Sequence, residues 1–579
     1  MSDTHHPKHR TREPVNSIYE RPSLARVFVV LIVLALAAGL SSAYWWRMGR
    51  SIPVIDLPTD RLACVSYAPY RRPGQTPFDP EARIAPEQIE EDLRLLAPRF
   101  GCVRTYSVDR GLDAVPAVAQ RLGVQVMLGI WLGRESANNE RELLRGIEVA
   151  NAHPDTVRAV IVGNEVLLRR ELPAAALATA IERVRSAVRQ PVTYADVWEF
   201  WLKNPELAQA TSFVSIHILP YWEDEPVPIE GAVSHVREIY EAVRQTFPGQ
   251  TILIGETGWP SVGRNRQGAI PSRVNQAKFI REFSVMAAEA NLPYNVVEAF
   301  DQPWKRFLEG TVGGYWGLYD AQGHGKFAFR GPVVEEDTWW WGLAAAATGA
   351  VGLLAVGLLR RHASAATSSL ILLFAGAAAG GTLAAQARIM WLTNRTLFEW
   401  FVSGVYAVLV LIAATTLALM LAAWAAGTRP LPQAAPIGDV VSRIVLDVKT
   451  RDRTELWLGG LRFVFLFGAA AQCLLLVFDS RYRDFPLELL AIPSIGYALL
   501  AWASGSGKAE TDTAGVEERV LSWGLIASAP LNVANERLTN LHALAWCALC
   551  VLFAGSILIG RFQVPAARKR KNAKQEADR

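Results

Sequence analysis

"VRAVIVGNE" (157–165) is a β-branched apolar run that stops at an Asn-Glu pair. Such a run reads as a strand buried in a parallel sheet, so Asn164 and Glu165 fall where the strand ends. In parallel α/β folds that end carries the chemistry. Seven more short apolar runs surround it: "LACVSYA" (62–68), "CVRTYS" (102–107), "VQVMLGIWL" (124–132), "PVTYADV" (191–197), "FVSIHILPY" (213–221), "TILIGETGW" (251–259) and "YNVVEAF" (294–300). Most are separated by stretches with helical spacing, among them "PEQIEEDLRLLAP" (86–98), "ERELLRGIEVANA" (140–152) and "SRVNQAKFIREFSVMAAEA" (272–290). Strand and helix alternating over residues 60–330 predict an α/β fold, a (β/α)8 TIM barrel, whose usual size is about 250 residues.

The rest of the chain is written for a bilayer. After residue 338 long Ala/Leu/Val/Gly stretches dominate, so the 51% hydrophobic share averages a globular part with a membrane part. Residues 27–46 follow a basic N-terminus (1–26) carrying Lys8, Arg10, Arg12, Arg21 and Arg26, and read as a transmembrane signal anchor. Cleavage after Ser41-Ser42-Ala43 is the rival reading. Both leave the basic flank inside and the barrel exported. Within 339–560 the candidate spans are Trp339–Leu359, Ser368–Ala385, Phe401–Ala426, Leu456–Phe478, Leu487–Trp502 and Leu541–Gly560, a polytopic bundle. Seven crossings in all would leave the basic tail, 561–579, outside, against the positive-inside rule. Val520–Asn535, short and broken by Pro530, is the missing eighth, and it returns the tail to the cytoplasm. Arg388, Glu399, Arg462 and Glu488 lie near or inside spans, mostly near enough to span ends to snorkel.

A net charge of +4 is spread through loops and tails with no basic face interleaved with aromatics, which argues against nucleic acid. The nine histidines are scattered and no Cys/His cluster has zinc spacing, so neither metal nor other cofactor is implied. Cys64 and Cys102 occupy the same place in consecutive strands of the exported part, where a bridge is open to them. Cys473, Cys547 and Cys550 read as small apolar packing residues.

Glu256 ends the seventh run as Glu165 ends the fourth, so a barrel brings both carboxylates to one rim. Two carboxylates facing each other there suit glycoside hydrolysis, one as acid and base and the other as nucleophile. Aromatic platforms for sugar would come from Tyr67, Trp131, Trp198, Tyr221, Trp222, Trp259, Trp304 and Trp316, with a core role as the rival for each. His217 either reaches the site or is a satisfied core histidine.

Five motifs in order, "SYAPY", "VGNEVL", "GETGWPS", "FDQPWK" and "GGYWGLYD", make residues 60–330 resemble the glycoside hydrolase family 17 β-1,3-glucanases and glucanosyltransferases. The resemblance implies that Glu165 is the acid/base, that Glu256 is the nucleophile, and that Asn164 holds the glucose 2-hydroxyl. It favours Tyr67, Trp259 and Trp304 among the platforms. Many members carry a Glu where this chain has Gln302. Lys305 is retained, and Glu298 at the same strand end is the substitute charge, or else a structural ion pair. The whole layout resembles membrane-bound bacterial proteins of cyclic or branched β-1,3/β-1,6-glucan synthesis. That implies a multi-pass inner-membrane protein with a periplasmic catalytic domain, acting on a β-glucan donor and acceptor supplied by a separate glucan synthase. A membrane-anchored glucan hydrolase, or a glucan-binding module coupled to export, are the alternatives.

Overall fold

The computed structural model describes residues 22–363, 365–447, 451–504 and 514–558. A long helix, α1 (Leu24–Met48), leads into eight parallel strands that close into a barrel: β1 (Leu62–Ser66), β2 (Phe100–Arg104), β3 (Gln125–Ile130), β4 (Val157–Asn164), β5 (Val192–Val197), β6 (Val214–His217), β7 (Ile252–Thr257) and β8 (Tyr294–Val296). Consecutive strands pair in register, and Val65 of β1 pairs with Val296 of β8 to shut the ring. Helices α2 (Pro86–Leu96), α3 (Val115–Leu122), α4 (Ser136–Ala152), α5 (Ala174–Ala187), α6 (Trp198–Lys203), α7 (Ile229–Thr246), α8 (Arg273–Glu289) and α9 (Arg306–Gly313) follow the strands in turn. The (β/α)8 expectation is met.

Side-chain alternation along each strand builds two cores. Outward residues such as Val65, Val103, Val160 and Ile254 pack with Ile89, Leu93, Ile181 and Phe283 of the helices. Inward residues Cys64, Cys102, Met127, Ile161 and Leu253 fill the barrel's lower interior. Cys64 and Cys102 are partners in the β1–β2 register and form a disulfide, their Cα atoms 4.5 Å apart. The unit extends a little beyond 60–330, because Ser51–Ile52 pairs antiparallel with Val333–Val334 and ties the entering chain to the leaving one.

Beyond the barrel lie α10 (Trp340–Leu359), α11 (Ala366–Thr393), α12 (Leu397–Ala425), α13 (Ile437–Val445), α14 (Arg453–Phe478), α15 (Leu487–Ser504), α16 (Val516–Glu536) and α17 (Leu541–Leu558). Among the described residues, seven helices, α1 included, are long and apolar enough to cross a membrane. The expected eighth span falls on α16, which is not among those seven: its 21 residues reach about 31 Å but include Glu517, Glu518, Arg519 and Glu536. The short amphipathic α13 was not foreseen. Arg462 does not snorkel: it is buried and pairs with Glu518 across α14 and α16 at 2.6 Å. Arg388 pairs with Glu336 of the linker at 2.7 Å, and Glu399 caps its own helix beside Arg395. The basic residues 1–21 and 561–579 lie outside the described residues.

Helix ends nearest the barrel alternate along the chain. Met48 bonds Glu336 at the end of α1, Leu392 at the end of α11 accepts from Arg306 and Tyr315, Asp484 after α14 accepts from Thr311, and Glu536 ends α16 against Arg264. The start of α1 and the end of α17 therefore lie on the face away from the barrel.

Candidate active site

Glu165 and Glu256 both leave their strands at irregularities. In β4 the register with β5 shifts between Ile161 and Asn164, and Gly163 there has φ of 83°. A Cβ on Gly163 would lie 2.8 Å from Val166 Cγ2, so glycine is required for both conformation and room. Glu165 follows with φ of 52°, a left-handed conformation a glutamate rarely takes. In β7 the pairing with β6 slips so that His217 faces Glu256, and a Cβ on Gly255 would sit 2.3 Å from Ser215 Oγ. Bulges of this kind re-aim side chains beside active sites. They turn Asn164, Glu165 and Glu256 into the mouth.

His217 joins the two carboxylates. Its Nδ1 lies 2.9 Å from Glu165 Oε1 and its Nε2 3.7 Å from Glu256 Oε1. Ligand atoms of Glu165, His217 and Glu256 all lie within 4.8 Å of one another. Arg104, buried in the barrel at the end of β2, donates to Glu256 Oε1 and, at 2.5 Å, to Asn164 Oδ1. The Tyr106 hydroxyl donates to the same Glu256 oxygen at 2.9 Å. Burial pushes the Glu256 carboxyl up, but His217, Arg104, the Tyr106 hydrogen bond and Lys305 outweigh it and hold it below the ordinary 4.5. Glu165 is less buried and faces Asp196, whose carboxyl burial lifts to about 6 despite the Tyr194 hydrogen bond. The spacing of the Glu-His-Glu group would admit a cation, yet Arg104 and Tyr106 already occupy the Glu256 oxygen and supply the positive charge there.

Gln302 is buried, its amide donating to the carbonyls of Ala68 (2.7 Å) and Phe300 (3.2 Å) and accepting from Trp304 Nε1 (2.8 Å). It therefore carries hydrogen bonds and no charge. Lys305 Nζ instead binds both oxygens of Glu298 at 3.0 Å. Burial pushes Glu298 up to about 7 against the pull of Lys305, while the carboxylates Glu298 and Glu309 keep Lys305 above its ordinary range in spite of burial. Glu298 and Lys305 thus form a largely buried ion pair beyond the end of the same strand as Gln302.

Four of the expected sugar platforms are buried, Trp316 among them, and are corrected. Tyr67, Tyr221 and Trp259 are fully buried, and their polar atoms are committed to Asp92 (2.9 Å), the Arg264 carbonyl (2.6 Å) and the Ile270 carbonyl (3.0 Å). Their rings are core, packed against Phe300, Trp316 and Phe279. Trp222 and Trp304 are half-buried and keep open ring surface. Arg104, Tyr106 and Asp196 escaped the sequence reading. An arginine inside the apolar run "CVRTYS" was the available signal, since a charge pointing into a barrel needs a partner.

A (β/α)8 barrel with two facing glutamates at the C-terminal rim, one held ionised, has the architecture of a glycoside hydrolase. Residues 64–317 match the BtgE/BtgC glycoside hydrolase domain. The chain is 30% identical to a glucan 1,3-beta-glucosidase of Schizosaccharomyces pombe over 232 residues, 37% of this chain and 72% of that protein. Its identity to the glucan 1,3-beta-glucosidase of Saccharomyces cerevisiae is 26% over 262 residues, 41% of this chain and 83% of the relative. Among solved structures, the glycoside hydrolase family 17 beta-1,3-glucanosyltransferase of Rhizomucor miehei is 26% identical and covers 45% of this chain and 94% of its own, with a TM-score of 0.40. The chain belongs to glycoside hydrolase family 17, the family of these glucan 1,3-beta-glucosidases.

Proposed function

We propose that the barrel is a retaining β-1,3-glucan-active enzyme, most readily a glucanosyltransferase, with Glu256 as nucleophile and Glu165 as general acid and base. The observation that carries this reading is the separation of the carboxylates, whose ligand atoms come within 4.8 Å. Retaining pairs stand about 5–5.5 Å apart, whereas inverting pairs need about 6.5–9.5 Å to hold a water. The yeast relatives named as glucan 1,3-beta-glucosidases support the choice of sugar.

Glu256, kept ionised by its surroundings, attacks C1 of a β-1,3-linked glucosyl unit. As the C1–O bond breaks, Glu165 passes its proton to the departing oxygen and an ester of Glu256 forms. Asn164, oriented by Arg104, would take the 2-hydroxyl. Glu165 then removes a proton from an incoming hydroxyl, whose oxygen attacks C1 and frees Glu256. A sugar 3- or 6-hydroxyl gives elongation, branching or cyclisation, and water gives hydrolysis. Half-buried Trp222 and Trp304 favour a sugar acceptor.

In the same reading the protein is a multi-pass protein of the bacterial inner membrane, resembling proteins of cyclic or branched β-1,3/β-1,6-glucan synthesis, with its barrel in the periplasm. Its domains are the anchor at 27–46, the catalytic unit at 60–330 and the bundle at 339–560, with 1–26 and 561–579 cytoplasmic. It would remodel glucan from a separate synthase. The alternating helices and the Cys64–Cys102 disulfide, a bond of oxidising compartments, support this arrangement. Incubating the purified protein with laminari-oligosaccharides and mapping products by linkage NMR tests the reaction. Longer or β-1,6-linked products are expected; shortened β-1,3 chains alone would mean a hydrolase, and no turnover a binding module.

A further inference from the structure

The loop between α14 and α15, residues 479–486, stands against the catalytic rim. Asp484 Oδ2 accepts from Thr311 at 2.6 Å, and Arg264 donates to the Arg483 carbonyl and lies 4.6 Å from the Phe485 ring. The approach at Gly310, φ 70°, is so close that a Cβ there would lie 2.2 Å from the Tyr482 carbonyl oxygen. Two further side chains of this loop reach Trp222 of the barrel. Tyr482 is 39% exposed, its ring edge-on to Trp222 with centroids 6.0 Å apart. Arg481 is also exposed, with its guanidinium 5.6 Å from the Trp222 ring, donating to the Trp222 carbonyl at 3.4 Å and 3.8 Å from Asp224, which leaves part of its donor fork facing outward. Trp222 in turn is stacked on Trp316 at 6.3 Å, with the planes 22° apart.

This aromatic cluster is close to the reacting groups. Trp316 gives its carbonyl to the Glu298 backbone N–H at 3.2 Å, and a Cβ on Gly258, two residues after Glu256, would touch its ring at 3.5 Å. The Trp316 indole N–H is buried and has no acceptor among the described residues. Rings that present an apolar face beside charged and hydroxyl donors are what a pyranose needs, because its C–H face stacks while its hydroxyls accept hydrogen bonds.

We infer that the 479–486 loop of the helical bundle forms part of the sugar-binding cleft, Arg481 and Tyr482 joining Trp222 to hold glucosyl units beyond the bond that reacts at Glu165 and Glu256. The inference rests on the barrel being glucan-active. It makes the bundle a component of substrate recognition in addition to a membrane anchor. The full-length protein in detergent provides the test, through kcat/KM for laminaritriose and laminariheptaose in the wild type and in Arg481→Ala/Tyr482→Ala. The ratio of heptaose to triose should fall about fivefold to tenfold in the variant, the loss of one stacking ring and one donor. A ratio equal to that of the wild type overturns the inference. Binding of laminariheptaose to Glu256→Gln, with and without the loop substitutions, separates the two levels of the argument. Weaker binding caused by the loop change supports the subsite even in a protein that turns nothing over, and identical binding rejects it whatever the turnover.

Discussion

On one oxygen of Glu256 converge a guanidinium, Arg104, and a hydroxyl, Tyr106, with His217 facing the same atom. Among the described residues the Glu165 carboxylate pairs with His217, with Asp196 behind it. The unequal surroundings are what assign one carboxylate to attack and the other to carry protons. Because Glu256 must be ionised, the acid limb of the activity profile should lie below the ordinary 4.5 of a glutamate. Tyr106→Phe removes one stabilising bond from the charged form, so the acid limb of kcat/KM should move upward, with kcat at neutral pH reduced far less. An unmoved limb would mean another group controls it. The roles themselves are read by azide. Glu256→Ala has lost the nucleophile but gained room at C1, so azide should rescue it on an activated donor and give the α-azide after one inversion. Glu165→Ala should keep first-step activity with a leaving group that needs no proton, and give the β-azide after two inversions. Product anomers exchanged between the two variants would reverse the assignments.

Elements position these groups through two breaks in regular pairing. Gly163→Ala places a Cβ 2.8 Å from Val166 in a conformation alanine avoids, and should destabilise the barrel by about 1–3 kcal/mol. Its effect on kcat should be about 100-fold or more, because a shift of about 1 Å in Glu165 disturbs the attack geometry. Thermal unfolding and kcat measured on the same preparation compare the two losses, and a small kcat change would show that the bulge does not aim Glu165. The strands themselves were legible, since β-branched runs spaced by helical stretches admit little but a parallel barrel. So were Glu165 and Glu256, which end such runs. The sequence could not report which way a ring points: Tyr67 and Trp259 share motifs with site residues yet face the core, and only the packing of Phe300 and Phe279 decides it. His217 was ambiguous for the same reason, its value depending on a carboxylate 52 positions away.

At the scale of the molecule, loops after β6, β7 and β8 grip the bundle, through the ion pair of Arg264 with Glu536 and the bonds of Arg306 and Tyr315 to Leu392. Loss of the buried Arg264 guanidinium, as in Arg264→Gln, leaves Glu536 without its partner and should cost about 3–5 kcal/mol, read as a lower unfolding temperature of the full-length protein. With α16 counted as a span, the proposed topology makes an alkaline-phosphatase fusion at Gly331 active and one after Arg579 silent, and an active C-terminal fusion would remove α16 from the set of spans. The short ribbon of Ser51–Ile52 with Val333–Val334 has a consequence for how such a protein is assembled. The chain leaves the bundle and returns to it side by side, so the barrel is an insertion between α1 and α10, and a tight turn at the ribbon would rejoin those helices directly. The bundle is in that sense a socket: any catalytic cassette whose two ends emerge together, and whose rim can answer Glu536 and Leu392, would fit it.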